Sequence, residues 1–443
     1  MRAWHYYTAV LFVTFLSTPA QSQNIILAET VQVGDCFRCA IETKVAGEMR
    51  FQKDSGPMPV KISAQASHSY PERVLAASGN LAQKCVRIYD APKLDIERGG
   101  DRASSTLRST RKMIVAQRPK DQHMAYSPSG ALYRSELDLV SGHFDTMAVA
   151  GLLPGKPTKV DDTWKIPNLV AQALNGLEGM TENKLEGKLV KVDGDLATFS
   201  IQGTVAGVDS GALVKQTVDA AGTYDAKSKR LIRLVWKQKA DRDQGPVSPA
   251  STMEVTVTLD RKAIDQPAEL SDIATVTVPQ GYEPPGPMTN LEYRDAKSSF
   301  ALIHPRDWHL TAVNPEHTVL RLMDRGDYVA QVTVTPWTSA KKGEHLSADQ
   351  FKNAMRNTSG WRPEKELQSG EVTAGDGNYI YRLSEQGLLD GVSVLQNFFL
   401  VAAPTGEQVV LTFTLAPKAA DKLGARDLSI AASIEVPAAP EKK

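Results

Sequence analysis

Strict alternation is the feature that most limits what this chain can become. In Lys188-Leu-Val-Lys-Val-Asp-Gly-Asp-Leu-Ala-Thr-Phe-Ser-Ile201, two alternating runs flank Asp193-Gly194. A period of two lines apolar side chains along one face of a strand. Asp-Gly is the dipeptide preferred by a tight type I′ hairpin turn. Thr223 to Trp236 repeats the design around a longer turn, and Ser251 to Arg261 keeps Met253, Val255, Val257 and Leu259 in register. Strands joined by short turns pair antiparallel, and such a sheet can leave one face in water.

Two helices are expected to interrupt this meander. His143 to Leu153 sets Phe144, Met147, Ala148 and Leu152 on one stripe and stops at Pro154-Gly155. Asn168 to Leu177 aligns Leu169, Ala173, Leu174 and Leu177 and ends at Gly176 and Gly179. Between them Lys159 to Ile166 reads as a short strand carrying Trp164. Residues 266–290 then collect Pro267, Pro279, Pro284, Pro285 and Pro287 with Gly281 and Gly286, which predicts a stiff, extended linker. Within it Thr275-Val-Thr-Val278 has the composition of an edge strand.

Beyond the linker, strands are expected at Phe300 to His304, Thr318 to Met323, Val329 to Pro336, Tyr379 to Ser384, Val392 to Ala402 and Gln408 to Leu415. Ser347, with Gln350 three residues on, starts a helix through Arg356 with a capping box. A last helix is expected from Ala419 to Ala432. The fold class is therefore α+β and mostly antiparallel β, with a large β-rich region over 24–265, the linker over 266–290 and an α+β layer domain over 291–437.

Phe300-x4-Pro305-x2-Trp308, the helix after the first β run and the long meander to a closing helix resemble the PsbP-like fold. The resemblance covers about the last third of the chain. It implies an antiparallel sheet flanked by helices, and a binding or assembly role rather than an enzymatic one. The first region, with Leu152-Leu-Pro-Gly-Lys156 ahead of Val160-Asp-Asp-Thr-Trp164, is similar to uncharacterised exported bacterial β-rich proteins. That likeness implies no activity.

Residues 1–23 read as a signal peptide. Arg2 and His5 precede an apolar run from Tyr7 to Leu16, and Ala20-x-Ser22 supplies a small-x-small cleavage site. The apolar core is shorter than the ~20 residues a membrane-spanning helix needs. The expectation is a secreted or periplasmic protein without a transmembrane anchor. Lys+Arg and Asp+Glu both number 51, which gives no electrostatic case for nucleic acid as partner.

An exported chain permits disulfides. Cys36-Phe-Arg-Cys39 has C-x-x-C spacing, but Phe37, Cys39, Ile41 and Val45 alternate as in a strand. Residues three apart in a strand face opposite sides at ~10 Å, beyond the reach of a disulfide. The motif also lacks the helical context of a redox pair. The expectation is a structural Cys36–Cys85 disulfide, with Cys39 buried and free. Such a bond would close a loop of about 50 residues and contribute roughly 4 kcal/mol by chain-entropy reasoning. Three thiols whose nearest histidine is His68 do not make a zinc site.

His304, Asp307 and His309 crowd around Trp308. They read either as a metal or acid–base cluster or, more simply, as a strand end and a turn, since no H-E-x-x-H pattern is present. Gly151-Leu-Leu-Pro-Gly-Lys156 is not a P-loop: it is one residue short, and Pro157 stands where Ser or Thr must reach magnesium. Gly207-Val-Asp-Ser-Gly211 lacks the G-x-S-x-G elbow. His143-Phe-Asp145 more simply begins a helix than serves a triad.

Arg98 to Lys120 holds seven basic residues against Asp101 alone. Arg108, Arg111 and Lys112 make a candidate surface for anionic polymers or lipid head groups, against the plainer reading of a solvated strand face. Trp361, between Gly360 and Pro363, is the candidate exposed aromatic contact. No catalytic residue, metal or cofactor is assigned.

The function expected is an exported envelope binding or assembly module acting on a protein, a polysaccharide or a lipid, with no catalysis. A sheet curved around its two helices would offer an apolar groove for lipid. The alternative is a secreted hydrolase with a loop-built active site, and the enzyme class stays open.

Overall fold

The alternating runs pair into one antiparallel sheet of 14 strands. The computed structural model describes residues 24–436 except 54–55, 120–121, 142–143, 298, 325 and 374–376. The expected leader and His143 lie outside the described residues. The main path of the sheet begins with Thr163–Lys165, Glu186–Asp193, Leu196–Asp209, Ala212–Asp225, Arg230–Arg242 and Ala250–Ala263. It continues through Cys36–Lys53, Gly56–Ser78, Leu81–Ile88, Met113–Gln117 and Met124–Tyr126. The two end strands do not pair with each other, so the sheet is open rather than a barrel.

The hairpin forms where the alternation predicts it, with a different turn. Asp193 pairs with Leu196, so the loop is Gly194-Asp195. Gly194 takes the left-handed conformation (φ +59), which a residue without Cβ adopts at little cost. The loop at 210–211 has positive φ at both Ser210 and Gly211, the type I′ requirement. The serine of the supposed nucleophile loop is therefore a turn residue.

One face of this sheet is buried under three short helices: Arg134–Ser141, Thr146–Leu152 and Asn168–Leu174. The second is a 3-10 helix that starts later than the periodicity predicts, because Asp145 caps it by accepting from Met147 N at 2.9 Å. Gly151 lets it pack on its neighbours: a Cβ there would lie 2.4 Å from Val170 Cγ2 and 2.9 Å from Leu81 Cδ2. Gly187 likewise leaves space for the Trp164 indole, whose Nε1 donates to Leu152 O at 2.8 Å.

The proline-rich segment is not an extended spacer. It turns repeatedly and lies against the opposite face of the sheet, where Leu270 and Val278 are buried with Val86, Val115 and Tyr126. Arg73 donates to Leu270 O at 2.9 Å, Gln117 to Tyr282 O at 2.7 Å, and Lys84 to Gly281 O at 3.1 Å. Thr275 to Val278 forms turns, not an edge strand.

The second sheet has seven strands, in the order Trp308–Val313, Thr318–Asp324, Asp327–Trp337, Gln408–Leu415, Val392–Ala402, Tyr379–Leu389 and Trp361–Val372. Ala348–Arg356 packs on one face, anchored by Phe351 and Met355 one turn apart. Fully burying such a pair contributes roughly 3–6 kcal/mol. Its capping box forms as read, with Ser347 Oγ accepting from Gln350 N. The closing helix is broken at Gly424 (φ +57) into Ala420–Leu423 and Arg426–Ala431, which cover the other face. The result is an antiparallel sheet flanked by helices.

A small third sheet stitches the halves. Leu291–Arg294 pairs antiparallel with Ala301–His304 and parallel with Leu132–Tyr133 of the first region.

Candidate functional site

The cysteines do not form the expected bond. Cys36, Cys39 and Cys85 are all free and buried. Register explains why. Cys36 pairs with Arg73 and Cys85 with Val74, and adjacent residues of one strand face opposite sides. Cys36 and Cys85 therefore lie on opposite faces of the sheet. Cys39 joins Cys85 in the core but sits opposite Tyr70, four residues along that strand from Val74. Burial pushes the Cys39 thiol up to about 12 and raises those of Cys36 and Cys85, so none is poised as a thiolate.

Trp361 is not an exposed contact. It is 6% accessible and packs against Phe398 beneath Ala348–Arg356. Gly387, on the paired strand, makes room for the ring.

The basic run is dispersed by the fold. Arg108 turns inward and bridges Glu136 (2.7 and 2.8 Å) and Glu292 (2.8 Å), over the Tyr133 ring. It thereby ties the first region to Leu291–Arg294. Arg111 donates to Ala131 O at 3.2 Å, Arg118 is buried with Asp145 at 2.5 Å, and Lys112 stays exposed.

What the fold does assemble is a half-open apolar face. On Cys36–Lys53 the core side carries buried Phe37 and Cys39, then half-buried Ile41, Thr43, Val45, Gly47, Met49 and Phe51. On Ala250–Ala263, accessibility rises along the same face from Leu259 (0%) through Val257 (3%) and Val255 (7%) to half-buried Met253. Cross-strand pairing brings Val45 opposite Ala64, Gly47 opposite Ile62, Met49 opposite Val60 and Phe51 opposite Met58. Ile96 and Leu94 extend the rows from the next strand. The opposite side is polar, with Glu42, Lys44, Lys61, Ser63, Gln65 and Ser67 exposed. The face is thus continuous with the core and emerges from under the helices. No residue of the expected site lies on it. The alternation itself was the signal, but it does not reveal how far the helices reach.

A second hollow lies between the halves, a cleft of about 690 Å³. Arg134 and Ser210 line it from the first region, His304 and His309 from the second. Ser210 belongs to the hairpin whose Gly211 touches Gly326 of the second sheet so closely that a Cβ would meet its backbone at 3.1 Å. Of the three groups around Trp308, the two histidines reach the cleft; Asp307 faces Arg426 at 3.6 Å. His304 is buried, and its Nδ1 lies 2.9 Å from Pro305 O, so that nitrogen carries the proton and Nε2 holds the lone pair. Burial, reinforced by Arg134, keeps both imidazoles below their usual range. Among the described residues, no three His, Cys, Asp or Glu side chains are grouped to hold a metal.

These features define a class: an antiparallel β protein of two helix-covered sheets, with an open sheet face and a cleft between its halves. No known protein family matches the chain, and no curated protein is similar to it. Among solved structures, cyanobacterial PsbP from Synechocystis is 15% identical, with 33% of this chain and 92% of that chain covered and a TM-score of 0.27. The Saccharomyces cerevisiae Ran-binding protein Mog1p is 12% identical over 33% of this chain and 95% of its own, with a TM-score of 0.27. Lipovitellin is 10% identical over 54% of this chain and 26% of its own, with a TM-score of 0.29. Likeness this slight carries no weight for ligand or partner; the geometry of the open face and the cleft is the guide to both.

Proposed function

We propose that the protein is an exported, non-catalytic binding module that holds the apolar part of an amphiphile against the open end of the first sheet. One observation carries this: a mainly apolar face, interrupted by Thr43, Ser251 and Arg98, passes from full burial to partial exposure. Exposed apolar patches of this kind mark interaction sites. Met49, Met58 and Met253 add unbranched, polarizable side chains that adapt to varied shapes. An acyl chain lying along the Val45, Ala64 and Ile96 row would remove both surfaces from water.

The test is titration of the purified protein with a fluorescent acyl probe, dansyl-undecanoic acid. Saturable binding with a blue-shifted emission is expected. Val45→Glu and Ala64→Glu, which put a charge into the face, should each weaken it at least tenfold, while Lys44→Glu on the polar side should not. No saturable uptake by the folded protein, or equal loss in all three variants, overturns the reading.

A further inference from the structure

The cleft groups an arginine with two histidines, Arg134 with His304 and His309, which the apolar face does not explain. Its carboxylates are already committed. Glu292 is shared by Arg108 at 2.8 Å and Arg294 at 3.3 Å. Asp295 accepts from the backbone N–H groups of Lys297 at 3.1 Å and Ser299 at 3.3 Å. Asp209, which faces His309 from the hairpin, pairs with Arg242 at 3.3 Å. Among the described residues, Arg134 pairs with the half-exposed Asp138 along its own helix, at 2.9 Å. Arg306, two residues from His304, is more unusual. Its described hydrogen bonds run to two main-chain carbonyls, Thr289 O and Ala125 O, both at 2.6 Å. Burial and the nearby Arg134 depress it to about 10. Tyr133 and Tyr293 are the remaining titratable groups on the walls, and Tyr133 lies under Arg108. Arg134 thus acts on both histidines, whereas the one carboxylate felt by either is Asp209 at His309, already paired with Arg242.

We propose that this cleft binds an anionic group, a carboxylate or a tetrahedral oxyanion such as phosphate or sulfate, between Arg134, His304 and His309. A guanidinium supplies two parallel N–H donors to such a group, and a protonated imidazole adds a charge-assisted hydrogen bond. The histidines are held neutral by burial and by Arg134; an anion reverses the second effect and draws protons onto them. Binding therefore takes up protons and strengthens as pH falls. The proposal does not rest on the apolar face, and either can fail alone.

The experiment is isothermal titration of the full protein with sodium sulfate, which does not titrate in this range, and in a second arm with hexanoate. It is run at pH 6 and pH 8, each in two buffers of different ionisation enthalpy. Expected results are affinity at least fivefold tighter at pH 6 for one or both anions, and net proton uptake. Arg134→Gln should weaken binding at least tenfold, and His309→Gln should flatten the pH dependence. Both side chains lie at the cleft surface, so the variants are expected to fold; Lys112→Ala serves as the distant control. Tighter sulfate binding assigns the site to oxyanions, and tighter hexanoate binding to carboxylates. No saturable heat with 10 mM of either anion at pH 6 overturns the proposal, as does binding unchanged by Arg134→Gln and His309→Gln.

Discussion

Removing the Arg108 side chain should loosen the junction between the halves. Glu136 is 1% exposed at its side chain and Arg108 28%. Arg108 supplies two bonds to Glu136, one to Glu292 and one to Ala131 O at 2.9 Å. Arg108→Ala leaves the Glu136 carboxylate buried with only the backbone N–H groups of Tyr133 and Arg108, both at 2.9 Å. Breaking a buried pair by deleting one partner costs about 3–5 kcal/mol; discounted for the part of Arg108 that water reaches, the expectation is about 2–4 kcal/mol. Glu136→Gln, which keeps the shape and removes the charge, should cost less, about 1–2 kcal/mol. The pH dependence provides a second readout. Burial alone would raise the Glu136 carboxyl, but Arg108 and the two N–H groups outweigh it and hold the carboxyl below its usual range. A carboxyl depressed in the folded state adds stability above its unfolded value of ~4.3, and that stability is lost as pH falls through the folded value. Urea unfolding between pH 3 and 7 should therefore show a steeper acid limb in wild type than in Arg108→Ala. A stability loss under 0.5 kcal/mol, or matching acid limbs, would falsify the account of the junction.

The buried thiols predict that the folded protein at pH 8 reacts negligibly with an aromatic disulfide reagent, while the unfolded protein without reductant titrates three thiols; one thiol would restore the Cys36–Cys85 bond. Gly151→Ala should destabilise by about 1–3 kcal/mol through overpacking, and Val170→Ala should recover part of that loss in the double variant. Additivity of the two changes would show that the contact is not the cause.

The strands of the first sheet were legible because their burial is one-sided and alternates, and those of the second because it is two-sided. Val392–Ala402 and Gln408–Leu415 fall where their apolar runs place them. Trp361–Val372 was missed because it is an edge strand whose Glu364, Lys365, Glu366 and Leu367 all face water. Arg134–Ser141 was missed too: its buried Glu136 breaks the apolar stripe, and only the partner Arg108 explains it. The Cys36–Cys85 pairing was misjudged because both faces of Leu81–Ile88 are buried: Val86 and Ile88 lie under the proline-rich segment, and Cys85 faces the main core with Cys39, so alternation alone does not tell which side is which. The candidate sites were hardest to foresee. The open face depends on where helices stop, and the cleft on residues from distant parts of the chain.

The short parallel pairing of Leu291–Arg294 with Leu132–Tyr133 also makes the later half structurally dependent on the earlier one. One edge of its first small sheet is covered by residues of the first region. A fragment beginning at Leu291 would carry that edge bare, and its self-association, absent from the intact chain, is how the debt would show.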